Sequence, residues 1–281
     1  MNLSENEAIR GGYVCLTLLC LLFIAGCSTS DVGLENRDIS VERNAQPTSV
    51  SLGSDMSALV GRVGPSYVTL TVSTTEGGLQ SKRDTNRSPI TSGSGFVVDS
   101  SGYVMTAGHV AVKAGNTVSA RAANGRSYSG KVMQVLADND MALIKLRGFH
   151  GQAVVPVANP CLARGADIFS LGKPHAQGDT ARLGSVESMS FGRPVRYGNF
   201  GYPDAMVMRM NTQKGESGGP VFDYSGKLAG MVVSTLSDGN GQSLSRAHAV
   251  SAGRLADFLC KNSHCSGAWS AIATENPLSC S

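Results

Sequence analysis

Ser217 sits in the run Gly215-Glu216-Ser217-Gly218-Gly219-Pro220, where glycines let the main chain turn sharply and bring its N–H groups close to a substrate carbonyl. Such a loop suits a nucleophilic hydroxyl beside an oxyanion hole. His109, in Thr106-Ala107-Gly108-His109-Val110, directly follows an apolar strand. A neutral imidazole there can take the Ser proton and return it to a leaving amine. Asp140, in Asp138-Asn139-Asp140-Met141-Ala142-Leu143-Ile144, stands at the mouth of another apolar strand, where a carboxylate can fix the imidazole tautomer and stabilise the imidazolium. Asp138 is the rival acid, read as sharing a strand face with Asp140; Asp140 is preferred because it adjoins the apolar run. Each signal alone has a plainer reading, as a glycine turn, a structural His or a strand cap. Together, in the order His, Asp, Ser, they describe a proton relay for acyl transfer.

The elements that must bring these residues together are short. The chain of 281 residues is 41% hydrophobic and 16% charged, with 34 Gly but only 8 Phe and 7 Tyr, which excludes a disordered or collagen-like chain. Apolar runs recur at Gly95 to Val98, Tyr103 to Thr106, Thr117 to Ala122, Lys131 to Leu136, Met141 to Leu146 and Lys227 to Leu236, punctuated by Ser101-Gly102 and Asn124-Gly125 turns. Without helical patterns between them, such strands predict an all-β antiparallel sandwich or barrel and not a βαβ sheet. Helical spacing is confined to Ala252–Leu259, where Leu255, Phe258 and Leu259 share a face, and to a shorter stretch around Met56 to Arg62. The formal charge of +3, from 24 basic and 21 acidic residues with no long block of one sign, gives no sign of a nucleic-acid surface.

The N-terminal stretch from Tyr13 to Ala25 is apolar but shorter than the ~18 residues a membrane span needs, and reads as a signal h-region. It ends in Ile24-Ala25-Gly26-Cys27, which resembles the bacterial lipobox. The resemblance implies removal of residues 1–26, lipidation at Cys27 and, with Ser28 and not Asp next, an outer-membrane anchor facing the periplasm. Glu5 and Glu7 offset Arg10, a departure from the usual basic n-region. An uncleaved signal anchor, or plain secretion with Cys27 as an incidental thiol, are the alternatives. Residues 27–52, rich in Ser, Asp, Glu and Asn, read as a flexible tether. Beyond the anchor remain Cys161, Cys260, Cys265 and Cys280, an even number that argues for two disulfides in an exported protein, with three pairings open.

From about residue 57 to 260 the chain resembles the trypsin-like serine endopeptidases, and among them the HtrA (Deg) type. Val60-Gly61-Arg62-Val63-Gly64-Pro65-Ser66-Tyr67-Val68 is similar to that family's opening segment. Gly93-Ser94-Gly95-Phe96-Val97-Val98-Asp99 with Gly102 to Thr106 resembles its approach to the catalytic His. Asp140 to Lys145 resembles the strand of the catalytic Asp, and Ala247-His248-Ala249-Val250 the last strand before the C-terminal helix. The resemblance implies two perpendicular six-stranded β-barrels, over 53–158 and 159–250, with a helix and tail in 251–281. It implies His109, Asp140 and Ser217 in the cleft between them, an oxyanion hole from the N–H groups of Gly215 and Ser217, and polypeptide substrates paired as an added strand along Val232 to Leu236. Because relatives join the interbarrel connection to the C-terminal helix by a disulfide, it also implies Cys161 with Cys260, leaving Cys265 with Cys280. No PDZ module follows in residues 261–281, and no basic cleavage site precedes an Ile-Val-Gly-Gly start, so activity is expected to depend on loop order around Lys214-Gly215.

The specificity pocket is expected to draw on Asn211, Thr212 and Gln213 before the nucleophile and on Val233, Ser234 and His248 after it. Asn211 is no acid, so preference for Lys or Arg is not expected; a small or medium apolar side chain is favoured over an acidic one read by His248. Two other functions are weighed. An α/β-hydrolase has Ser217, Asp238 and His264 in the right order but needs a helix straight after the Ser, whereas Gly218-Gly219-Pro220 leads into a strand. A catalytically silent peptide-binding protein or chaperone on the same fold remains the alternative. His109, His150, His175, His248 and His264 are scattered without an HExxH pattern, so neither metal nor cofactor is expected; His150, His175 and His264 read as loop residues.

Overall fold

The computed structural model describes residues 40–43, 52–74, 90–176, 178–237, 240, 243–273 and 280. The signal segment and Cys27 lie outside the described residues. Among those described, no helix is long and apolar enough to cross a membrane.

The first barrel closes through six antiparallel strands, β2 (Tyr67–Ser73), β3 (Thr91–Val97), β4 (Tyr103–Ala107), β5 (Thr117–Ala122), β6 (Ser127–Leu136) and β7 (Met141–Leu146), in the order β2-β3-β4-β7-β6-β5 and back to β2. Period-two alternation drives it: in β5, Val118, Ala120 and Ala122 turn into the core while Ser119 and Arg121 face out. Closure pairs Val68 with Ala122 and Phe96 with Met105, leaving no open edge around the barrel wall. Between β4 and β5 a single turn, α2 (Gly108–Ala111), carries His109.

The second barrel comprises β8 (Asp167–Gly172), β9 (Thr180–Ser188), β12 (Met206–Arg209), β13 (Pro220–Asp223), β14 (Leu228–Ser237) and β15 (Ser243–Ser251), ordered β9-β12-β15-β14-β13-β8 and closed by β8 on β9. A two-stranded hairpin, β10 (Val195–Tyr197) and β11 (Phe200–Tyr202), projects from it through the two-residue turn Gly198-Asn199. The helix α3 (Ala252–Lys261) buries Leu255, Ala256, Phe258 and Leu259, and the short α4 (Ala268–Ile272) seats Trp269 and Ile272 in the same core. The six-stranded double barrel expected from the resemblance is therefore present.

Three features differ from expectation. Within the span read as a tether, β1 (Ser40–Arg43) runs parallel to β9, Ser40 opposite Thr180. The N-terminal helix α1 starts earlier than the periodicity suggested, over Leu52–Val63. The disulfide pairing is also corrected: Cys161 bonds Cys280, and Cys260 bonds Cys265. The chain reverses after α3 through Ser263, at φ 65°, which carries Cys265 back to within 4.0 Å of Cys260 between Cα atoms. The interbarrel connection is thus stapled to the tail and not to the helix.

Candidate active site

Asp140 is fully buried and left-handed, at φ 49° and ψ 45°, where the 3-10 turn Ala137–Asn139 hands over to β7. That conformation aims its carboxylate at the start of α2. Asp140 Oδ1 accepts the backbone N–H of His109 at 2.8 Å, and its two oxygens lie 3.1 and 2.9 Å from His109 Nδ1. Donation from Nδ1 leaves Nε2 unprotonated and ready to accept. Asp138, by contrast, is not on a strand face with Asp140. It lies in the 3-10 turn and pairs with Arg196 at 2.9 Å on the surface, both side chains more than two-thirds exposed, so it has no part in orienting the imidazole.

Ser217 is brought to the same place by hydrogen bonds between the barrels. The N–H of Ser94 on β3 donates to the Ser217 carbonyl at 2.9 Å, and the Ser94 hydroxyl donates to the Gly215 carbonyl at 2.9 Å. Gly218 has φ +82°, and a Cβ on it would collide with the Thr106 hydroxyl and the Ser94 carbonyl. The nucleophile loop therefore lies flat on the end of β4, two residues before His109. No hydrogen bond joins Ser217 Oγ to His109 Nε2 among the described residues; catalytic contacts of this kind commonly tighten only with substrate bound.

The Lys214 carbonyl accepts the backbone N–H of His175 at 2.7 Å. Because a trans peptide holds its C=O and N–H on opposite sides, this turns the Gly215 N–H the other way. Gly215 has φ +100°, and any side chain there would strike the Lys173 carbonyl. Neither the Gly215 nor the Ser217 N–H donates to another protein group among the described residues. One residue earlier than Ser217, Glu216 is buried and accepts from Arg182 Nε at 2.7 Å and from the Gln213 N–H. This internal guanidinium was not foreseen, although an Arg within the apolar run of β9 was the available signal.

The expected pocket residues separate into two groups. Thr212 Oγ1 lies 2.6 Å from Thr235 Oγ1, and the Ser243 hydroxyl donates to Asn211 Oδ1. Ser234 and His248 form the second group: the Tyr202 hydroxyl lies 2.8 Å from Ser234 Oγ and 2.8 Å from His248 Nδ1. Adjacent strand residues face opposite ways, so Ser234 and Thr235 cannot both line one pocket. Val233 is buried. His248 is fully buried, and burial pushes its pKa down to about 4. Burial likewise pushes the Tyr202 phenol up to about 12. Ser217 leads into β13 and not into a helix, which removes the α/β-hydrolase arrangement. Among the described residues no cluster of His, Cys, Asp or Glu has metal-binding form.

The fold and this site define the two-barrel class of trypsin-like peptidase domains. The model of the trypsin-like peptidase domain matches residues 93–231, and the chain is similar to HtrA and DegP-like serine endoproteases. A DegP-like periplasmic serine endoprotease of Brucella suis is 30% identical over 186 residues, covering 64% of this chain and 35% of that protein. The chain thus spans about a third of the length of the curated relatives it matches. Among solved structures, the inactive form of the Rv3671c protease is 25% identical with a TM-score of 0.60, over 79% of this chain and 98% of that one. The active form of the same M. tuberculosis protease is 22% identical with a TM-score of 0.61, over 78% and 93%, and supports the fold.

Proposed function

We propose that this protein is a serine endopeptidase that hydrolyses extended or unfolded polypeptide through an acyl-enzyme on Ser217. The observation that carries the reading is the His109 imidazole held against buried Asp140 at 2.9 Å, at the end of the strand on which the Ser217 loop is seated. Ser217 Oγ attacks the scissile carbonyl as His109 Nε2 takes its proton; His109 then protonates the leaving amine, and water repeats the sequence on the ester. The N–H groups of Gly215 and Ser217 receive the oxyanion, worth roughly 10²–10³ in rate per donor. Past Val232, β14 has no strand partner on the β13 side among the described residues, an edge that suits an incoming peptide strand. The uncharged Asn211, Thr212 and Thr235 favour a small or medium apolar side chain at the cleavage site.

The periplasmic naming of the DegP-like relatives fits export, and with the lipobox-like Cys27 supports a lipid anchor on the outer membrane. A serine-directed fluorophosphonate tests the chemistry. Labelling of wild type that is lost in Ser217→Ala is expected. Well-folded wild type that neither labels nor cleaves a peptide library would instead favour a silent peptide-binding protein.

A further inference from the structure

Beyond the three relay residues, the hairpin β10–β11 places a fourth group at the site. Its base is fixed by Asp204, whose Oδ1 accepts the N–H groups of Phe191, Gly192 and Ala205 and whose Oδ2 accepts the Ser190 hydroxyl. Its strand β11 packs on the 3-10 turn that precedes Asp140, and a solvent-exposed Arg196–Asp138 pair crosses from β10 to the same turn. Across this bridge Tyr197 donates its hydroxyl to Asp140 Oδ2, with the same oxygen atom of Tyr197 3.4 Å from His109 Nδ1. The Tyr197 ring stands edge-on to His109 at 5.6 Å, and Phe200 follows at 6.4 Å.

A carboxylate removed from water loses several hydrogen bonds, and leaving any unmade is costly. Asp140 has no exposure to solvent. Its donors are the His109 N–H and Nδ1–H and the Tyr197 O–H, so the tyrosine supplies what water would otherwise give. Burial and the neighbouring Asp140 charge both push the Tyr197 phenol up, so it stays a donor throughout the working pH range.

We infer that Tyr197 is a positioning residue of the proposed reaction: delivered from the second barrel, it clamps the Asp140 carboxylate in the plane from which it orients His109. This rests on the protease reading above. No covalent step involves Tyr197; it acts through Asp140.

The test is Tyr197→Phe, which keeps the ring packing and removes one hydroxyl. The other ionisable groups around the hairpin, Asp138, Arg196, Tyr202, His248 and Asp204, stay in place. With peptide substrate, kcat is expected to fall about tenfold with KM unchanged, since a displaced orienting group acts on the transition state and not on binding. Freed from the Tyr197 proton, Asp140 shares its charge with the imidazolium alone, so the acid limb of the kcat/KM profile moves to higher pH. The same upward shift is expected for the His109 ring titrated by NMR in a Ser217→Ala background, where turnover plays no part. Arg196→Ala, which removes only the surface ion pair, is expected to change neither kcat nor the acid limb. An active wild type whose Tyr197→Phe variant keeps the same kcat, acid limb and ring titration overturns this inference while the protease reading stands. An Arg196→Ala variant that reproduces the Tyr197→Phe effects also overturns it, by making the hairpin's general order the cause. A wild type that neither turns over peptides nor labels at Ser217 overturns the protease reading itself.

Discussion

Arg182 Nε and Glu216 Oε1 meet at 2.7 Å, each side chain only 1% exposed, and Glu216 is the residue immediately before Ser217. The pair ties β9 to the nucleophile loop from within the barrel. The same carboxylate accepts the Gln213 N–H, so one buried charge organises both the loop that turns at Gly215 and the strand behind it.

Breaking a buried ion pair from one side strips the remaining charge of its counter-ion, at a cost of about 3–5 kcal/mol. Arg182→Met is therefore expected to lower the unfolding free energy in urea by about that amount. Neutralising the other side as well, in Arg182→Met/Glu216→Gln, is expected to recover part of the loss. A single variant as stable as wild type would show that the pair is not the organising contact.

Gly215→Ala tests the donor loop. At φ +100° the backbone resists any side chain, and the added methyl meets the Lys173 carbonyl, so the Gly215 N–H has to move. With that proposed oxyanion donor displaced, kcat for peptide hydrolysis is expected to drop by roughly 10²–10³, and the unfolding temperature is expected to fall as well because the clash is with backbone. Unchanged turnover would remove Gly215 from the oxyanion hole.

The residues proposed for the relay are marked in the sequence by their immediate neighbours: Gly around Ser217, a strand end before His109, an apolar strand after Asp140. The two barrels were legible because buried alternation repeats at short intervals. Tyr197 and Arg182 were harder to see, since their partners Asp140 and Glu216 lie far away in sequence and only closure of the fold brings them together. The run Val195-Arg196-Tyr197-Gly198-Asn199-Phe200-Gly201-Tyr202 did carry a hairpin signal, a Gly-Asn turn between aromatic-rich arms, but nothing in it names a target. Ser234 and His248 meet across β14 and β15 and share Tyr202, a grouping set by register and not by composition.

His248 gives a pH dependence with a definite sign. Its ordinary value of 6.5 applies to the unfolded chain, whereas in the fold burial lowers it to about 4. Between these values the unfolded state binds the extra proton, so stability is complete above about pH 6.5 and declines as pH falls toward 4, by at most roughly 3 kcal/mol for this group. Urea midpoints at pH 7 and pH 4.5 are expected to differ less in His248→Gln than in wild type. An equal difference would assign the acid sensitivity to other groups.

Digestion without reductant is expected to release a Cys161 peptide joined to the Cys280 peptide, and a separate Cys260–Cys265 loop. Closing a span of 119 residues constrains the unfolded chain far more than closing one of 5. Cys280→Ser is therefore expected to lower the unfolding temperature more than Cys265→Ser does. Recovery of Cys161 linked to Cys260 would reverse the correction made to the pairing.

The parallel strand at Ser40–Arg43 completes the edge of β9 that β12 leaves uncovered, since β12 pairs with β9 only over Ser185–Ser188 whereas β1 pairs with Thr180–Leu183. The stretch of β9 that carries Arg182 is thereby hydrogen-bonded on both sides, by β8 and by β1. Residues far ahead of the first helix thus brace, through Arg182 and Glu216, the loop that presents Ser217.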